Sequence, residues 1–578
     1  MSVYTLAWLV ALLPLLGWLF SYIAVAPRRS AQIGMSFCAL AAVVAVLLLI
    51  YRLLHQADPA YESVITFWEV RPTEGAVFAP TLSPLFGVSV DPLSVTLMAV
   101  VAFVSAIVQW HGLTLMRTDV ELRRFYQVLA VFTFALLGVV ASPNLFQFWV
   151  MGEVAAVAAY LLALHWWTSP EVATGARRMF LYLRLGDLAL LLAVVVAYIK
   201  LGRHASAVPP ALGADTSDPF SFRVLEGEWH LAHVGSIPGV GMRTLALLAI
   251  LLLVAASARA MQLLFHAWLV EAAGAPPAGL ALMASLLAGT GVVLLARVHG
   301  LFLEVPHLLT AMALIGALTA AAAAVAALMQ RDIIRLAVFA SVTQLGLVVC
   351  AFGLGGYGRP LFGLLVYLLL TPLLVMVISN VVRVYRTQQI DGIRGMWPRM
   401  RWSCIGLAVW AAGISGGSLI NYSVLATALR NRAATSGHPG TAATILVVAA
   451  VLTAMVVTAV CAGRLMAGLF RGEPPRRRGL QPQRVVEAEP RLRRSVAVMC
   501  AVTAVVVVGA SIPRFGFSRF VFAGDRAEQL DWDPAATAIC LAIAVVAGLI
   551  AWGMSISTGG QRIAAILSAP RTRATVRL

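Results

Sequence analysis

Apolar residues run along this chain in long blocks, and the block length suits one kind of element. Stretches such as "LAVVVAYIK", "TLALLAILLLVAAS" and "GALTAAAAAVAALM" lie inside apolar segments of roughly 20 residues, enough to cross a hydrocarbon core as a helix. No regular alternation of apolar and polar residues competes with them, so a membrane β-barrel is not expected. The pattern predicts about 15 transmembrane helices with boundaries good to a few residues. They fall near 3–25, 33–54, 91–110, 125–141, 145–166, 179–200, 243–268, 278–297, 306–329, 334–353, 360–382, 402–424, 441–463, 495–512 and 535–555. The expected fold class is an all-α polytopic membrane protein.

Polar positions between the blocks differ by parity. "APRRSAQ", "GARRM", "QRDIIR", "RTQQIDGIRGMWPRMR", "RGEPPRRRGLQPQR" and the tail "PRTRATVR" fall on one side, which the positive-inside rule makes cytoplasmic. The N-terminus is then outside and the C-terminus inside a bacterial cytoplasmic membrane. Loops 55–90, 201–241 and 514–534 carry most of the acidic loop residues and face the other way.

Composition agrees: 61% of the 578 residues are hydrophobic and only 12% charged, far from an ordinary soluble domain. The net charge of +17 follows the loop asymmetry, so no nucleic-acid partner is needed to explain it. The first span is too long and too like its neighbours for a cleaved signal peptide. The basic segment 471–494 reads as a topology signal, with docking or anionic-lipid binding as the alternative.

Cys38, Cys350, Cys404, Cys461, Cys500 and Cys540 are scattered through spans without CxxC spacing and read as small core residues. His230 and His233 stand three apart in a loop, where metal ligation is a weaker reading than a plain loop. No cysteine cluster or strand-anchored glycine fingerprint is present, so no cofactor is expected and any redox chemistry belongs to partners.

Three stretches carry a family resemblance. They are "WVMGEVAAVAAYLLALHWWTSPEVATGARRMFLYLRLGDLALLLA" (149–193), residues 257–303 with "SARAMQLLFHAWLVEAAGAPPAG" and "GVVLLARVHGLFL", and "ALMQRDIIRLAVFASVTQLGLVVCAFG" (327–353). Together they resemble the large antiporter-like subunit of respiratory complex I and its relatives in Mrp cation antiporters and membrane hydrogenases. "VDPLSVTLM" (90–98) matches the start of that family's third helix. The resemblance covers residues 90–470 and is weak at either end. It implies two inverted five-helix repeats, each with a broken helix, and ionisable residues at mid-membrane where charge moves. Four regions follow: 1–90 (N-terminal helices and outer loop), 91–300 (first repeat region), 301–470 (second, degenerate repeat region) and 471–578 (basic cytoplasmic loop and two C-terminal helices).

Carried over position by position, the resemblance implies a first half-site partly kept and a second one emptied. The family's glutamate on helix five is Glu153, and its arginine and aspartate on helix six are Arg184 and Asp187. Its helix-seven lysine falls on Arg259, and the proline that breaks that helix falls on Leu264. A histidine becomes Met283, a lysine becomes Ile334, and helix eleven has Gly363, Tyr367 and Thr371 in place of titratable groups. On helix twelve, Gly416 and Gly417 replace a lysine–aspartate pair. The chain has one lysine, Lys200; a general preference for arginine explains that in the loops but not isoleucine, glycine or threonine within the membrane.

An arginine keeps its proton at physiological pH, so Arg259 suits a fixed counter-charge and not a deprotonating relay. Helix packing in the family suggests that it pairs with Glu153; snorkelling is the alternative. Arg184 and Asp187 read equally as an intrahelical pair or as remnants of the polar axis. His266 and Glu271 read as solvated helix-end groups. Tyr367, Thr371, Ser415, Ser418 and Asn421 suit the lining of a polar cavity or helix packing, the latter preferred.

The function implied is an antiporter-like subunit of a multi-subunit proton- or sodium-coupled complex, with a degenerate ion pathway and a structural or coupling role. Its partners would be other membrane subunits and the lipid bilayer. A second reading is the membrane subunit of a two-component inorganic-carbon (bicarbonate or CO2) uptake pump with a large, soluble zinc-containing partner. The absence of a long C-terminal lateral helix favours it; the missing lysines oppose it. A self-sufficient antiporter is the least expected.

Overall fold

A computed structural model describes residues 3–55, 61–66, 85–201, 220–233, 235, 240–397, 399–415, 441–470 and 489–511, with a few isolated positions beyond. In chain order the helices are α1 (Val3–Ser21), α2 (Pro27–Leu54), α3 (Pro92–Leu115), α4 (Leu122–Val140), α5 (Leu145–Ala163), α6 (Pro170–Lys200), α7 (Phe222–His233) and α8 (Met242–Arg259). They continue as α9 (Ala267–Glu271), α10 (Pro277–Leu282), α11 (Ala288–Arg297), α12 (His299–Glu304), α13 (Pro306–Met329), α14 (Ile333–Gly353), α15 (Gly358–Tyr385) and α16 (Arg401–Ser415). The last two are α17 (Thr441–Phe470) and α18 (Pro490–Ser511).

Among the described residues 12 helices are long and apolar enough to cross a membrane, so the chain is an all-α polytopic membrane protein. The span expected at 402–424 is described as the shorter α16, that at 495–512 corresponds to α18, which is not among the 12, and most of 535–555 lies outside the described residues. Span starts are marked locally. Asp91, Asn144 and Asp332 cap α3, α5 and α14 by accepting backbone N–H groups, and prolines open α2, α3, α6, α10 and α13, where a missing N–H costs nothing.

Two regions read as loops hold structure. Strands β1 (Tyr61–Thr66) and β2 (Leu85–Val90) pair antiparallel from Tyr61 with Val90 to Thr66 with Leu85. The Gln147 amide fastens this hairpin to α5, accepting from Gly87 N at 2.7 Å and donating to Gly87 O at 2.9 Å. The second is α7, so His230 and His233 sit on a helix. Both elements are too short for an apolar-block reading.

α10, α11 and α15 form the buried centre, while α1 and α2 are peripheral. Helices pack closely where side chains are smallest. A Cβ on Gly346 would lie 2.9 Å from the Gly316 carbonyl and 2.9 Å from Ala320 N, so α13 and α14 touch backbone to backbone, as small residues allow in membranes. α18 is tied on by buried His111 of α3, whose ring bonds Ser495 (2.8 Å) and, on α15, Ser379 (3.1 Å).

Candidate functional site: a buried chain of charges

α5, α6 and α8 meet at four charged side chains. Arg259, at the last turn of α8, donates from Nε (3.1 Å) and Nη2 (2.6 Å) to one oxygen of Asp187. The other Asp187 oxygen lies 2.7 Å from Arg184 Nη2, one turn back on α6. Arg184 also pairs with Glu153 of α5. The order is Glu153, Arg184, Asp187, Arg259, with alternating sign and no formal net charge. Arg259 and Asp187 are 1% and 2% exposed, a depth at which an unpaired charge is costly.

This corrects the expected pairing. Arg259 does not take Glu153 as its direct partner; Asp187 stands between them, and Arg184 holds the glutamate. Nor does Arg259 snorkel, since its guanidinium is enclosed. Arg184 and Asp187 are both an intrahelical pair and the middle of a longer chain.

Glycines make this geometry possible. A Cβ on Gly152 would overlap the Arg259 guanidinium, so the residue before Glu153 is the slot in which that guanidinium lies. A Cβ on Gly186 would overlap Ala258, so α6 and α8 make closest contact one residue before Asp187 and one before Arg259. Sequence reasoning missed both glycines. Their signal was visible, since a glycine directly precedes each acid of the network, but it gains meaning only from the packing. Aromatic faces complete the surroundings: Arg184 lies 4.6 Å from the Phe180 ring centre and Arg259 5.8 Å from that of Phe148, distances that favour a cation.

The helix breaks directly after Arg259, although Leu264 stands where a proline was implied. Met261 and Leu263 have left-handed φ of 59° and 45°, uncommon for such side chains. Side chains satisfy the freed backbone: the Trp268 indole donates to Ala258 O (3.0 Å), the Gln262 amide to Ala260 O (2.6 Å), and Leu263 N donates to Thr319 Oγ1 (2.9 Å). Gly291 of α11 gives the break room, since a Cβ there would lie 2.6 Å from Ala260 N.

The second half of the bundle has another character. Met283 opens a π-helical turn, Met283–Leu287, and Tyr367 donates its hydroxyl to the Ala284 carbonyl there. Tyr367 and Thr371 are buried and line neither of the two cavities described next. Asn421, Gly416, Gly417 and Ser418, and the side chain of Ser415, lie outside the described residues.

A cavity of about 530 Å³ is walled mainly by apolar residues such as Leu280, Ala337, Val338 and Val375, with Asp119 and Arg383 also in its lining. A second, of about 840 Å³, is polar, lined by Glu171, Arg178, Glu271, Asp332 and Arg335 among others. Ile334, where the family resemblance implied a lysine, borders both. Glu271 is not merely solvated but pairs with Arg178 at 3.4 Å. Half-buried His266 hydrogen-bonds the Leu263 carbonyl. Among the described residues, no group of three or more His, Cys, Asp or Glu is arranged to hold a metal ion.

Asp91, before α3, is a further, partly buried charge. Burial pushes its carboxyl up, but the Arg297 charge and hydrogen bonds from Arg297, Ser94 and Ser89 outweigh that and leave it well below the usual carboxylate range.

Residues 142–453 match a family model described as NADH:quinone oxidoreductase/Mrp antiporter, TM. Residues 78–126 match one described as NADH-Ubiquinone oxidoreductase (complex I), chain 5 N-terminus. The chain is 27% identical over 374 residues to the chloroplastic NAD(P)H-quinone oxidoreductase subunit 5 of Zygnema circumcarinatum, covering 63% of this chain and 49% of that protein. Against the same subunit of Acorus calamus it is 30% identical over 327 residues, covering 56% and 41%. It thus spans about half the length of the curated relatives it matches. In fold it is similar to a chain of the Mrp complex from Dietzia sp. DQ12-45-1b, with TM-score 0.73, 18% identity and coverage of 98% of this chain and 58% of that one. It is also similar to a chain of the archaeal membrane-bound sulfane sulfur reductase, with TM-score 0.70, 16% identity and coverage of 99% and 85%.

Proposed function

Given that the chain belongs to the NADH:quinone oxidoreductase/Mrp antiporter transmembrane family, we propose that it is an antiporter-like subunit of a larger proton- or sodium-coupled membrane complex, in which its own charge chain is a fixed electrostatic element. The observation that carries this reading is the clamping of Arg259 on Asp187. A guanidinium keeps its proton, so charge at that position changes by displacement of the side chain and not by titration. Two cations and two anions in alternation keep the site neutral in hydrocarbon, and since Arg184 already touches both Glu153 and Asp187, release of one of these two contacts is the smallest rearrangement open to it. Met283, Ile334, Gly363 and Thr371 supply no titratable side chain to the second half, which supports a structural or coupling role for it.

Affinity purification of the tagged full chain from native membranes, with masses of whatever accompanies it, tests the assignment. Membrane subunits of a redox or antiporter complex are the expected companions. A chain that purifies alone overturns the reading. A single large zinc-containing partner replaces it with inorganic-carbon uptake.

A further inference from the structure

Outside the membrane-spanning helices, α7 buries one face of a short amphipathic helix. Val224, Leu225, Trp229 and Ala232 lie on that face at helical spacing, and Glu228 lies in its midst with no exposed surface. Both carboxyl oxygens of Glu228 and the indole N–H of Trp229 lack a hydrogen-bond partner among the described residues. An ionised carboxylate without partners is expensive to bury; a neutral carboxyl is far less so.

α7 packs chiefly on α8 and α12, and its first turn also meets α5 through Phe148, α11 through Arg297 over the Phe222 ring, and β1 through Glu62. α12 brings His299 and Glu304. Glu304 accepts both exposed histidines of α7, His230 Nδ1 at 3.4 Å and His233 Nδ1 at 3.0 Å. α8 brings Arg243 at its start. α7 itself carries Arg223, which pairs with Glu62 at 3.2 Å, and Glu226, against which a Cβ on Gly300 of α12 would lie at 3.1 Å. None of these bonds Glu228, and burial alone pushes its carboxyl up to about 8.

We propose that Glu228 is a proton-binding site, and that α7 docks on α8 and α12 with Glu228 protonated and loosens as it ionises. The sign follows from linkage: a carboxyl raised in the docked state binds its proton there more tightly than in water. Docking is strongest below the ordinary glutamate value of 4.5 and weakens as pH rises through about 8, by up to about tenfold in the docking equilibrium per pH unit in that window. His230 and His233 also contact Glu304 across this interface, so that cluster and Glu228 must be separated in any test.

Hydroxyl-radical footprinting of Trp229 in the purified full chain, from acid to alkaline pH, reads docking directly. Wild type is expected to protect Trp229 in acid and to expose it several-fold more in alkali. E228Q and E228L, which are neutral at every pH, are expected to protect it throughout, and E304Q is expected to keep the pH response. Infrared difference spectra should contain a protonated-carboxyl band at neutral pH that is lost in E228Q. A flat response in wild type, an unchanged response in both Glu228 variants, or a response abolished by E304Q alone overturns the proposal.

Discussion

Arg259 and Asp187 are joined by two hydrogen bonds to a single carboxylate oxygen, at 2.6 and 3.1 Å, with both side chains almost wholly enclosed. The contact links the end of α8 to the middle of α6, and Arg184 extends it to α5.

Removing one partner strands the other charge. Asp187→Leu and Arg259→Leu are each expected to destabilise the protein by about 3–5 kcal/mol. The double variant Asp187→Leu/Arg259→Leu should recover much of that loss, because neither charge is left alone. Thermal unfolding in detergent, arranged as a double-mutant cycle, checks both.

Gly152 has a steric role that a single methyl group can expose. Gly152→Ala puts a Cβ into the guanidinium and should lower stability by about 1–3 kcal/mol through overpacking. The same methyl should cost less in an Arg259→Ala background. Equal costs in the two backgrounds would remove Gly152 from the site.

Arg259 as a fixed charge depends both on its positive charge and on the guanidinium that holds it on Asp187. Arg259→Lys keeps a cation but loses the two-donor clamp, so it is expected to lower the amount of assembled complex partly, and Arg259→Gln to lower it further. Blue-native gels of native membranes compare the two.

Asp91 offers a pH test with the opposite sign to that of Glu228. Its carboxyl is held low by Arg297, so its contribution is present above the ordinary aspartate value and fades only as pH falls through its own lowered one. Asp91→Asn is expected to lower the unfolding temperature at neutral pH and to approach wild type only in strong acid. A constant difference across all pH would assign Asp91 a purely steric role.

The ties of α18 should differ in strength. Glu489 bridges Arg117 (3.3 Å) and Arg383 (3.2 Å) with much of each side chain exposed, so Glu489→Gln should cost under about 1 kcal/mol. His111→Ala leaves buried Ser379 and Ser495 without their shared partner and should cost about 1–3 kcal/mol. Unfolding of the two variants side by side ranks them.

Much of this molecule was legible in the chain itself. Hydrophobic length is a local property, so the membrane helices stood out one at a time; the caps Asp91, Asn144 and Asp332 emerged only with the structure. Arg259 stood out as a charge inside an apolar block, whereas Glu153, Arg184 and Asp187 were reached through the family resemblance, position by position. The choice of partner was not local. Arg259 meets Asp187 and not Glu153 directly because α6 and α8 close at Gly186 and Ala258, and that approach is a property of two helices together. The break after Arg259 also depends on distant groups, since Thr319 and Trp268 take up what the helix releases. The hairpin and α7 were hidden for a related reason: each is short, and its stability comes from the surface it lies on. Burial of Glu228 is the clearest case, because a glutamate in a polar loop gains its chemistry only when the helix around it is pressed against two others.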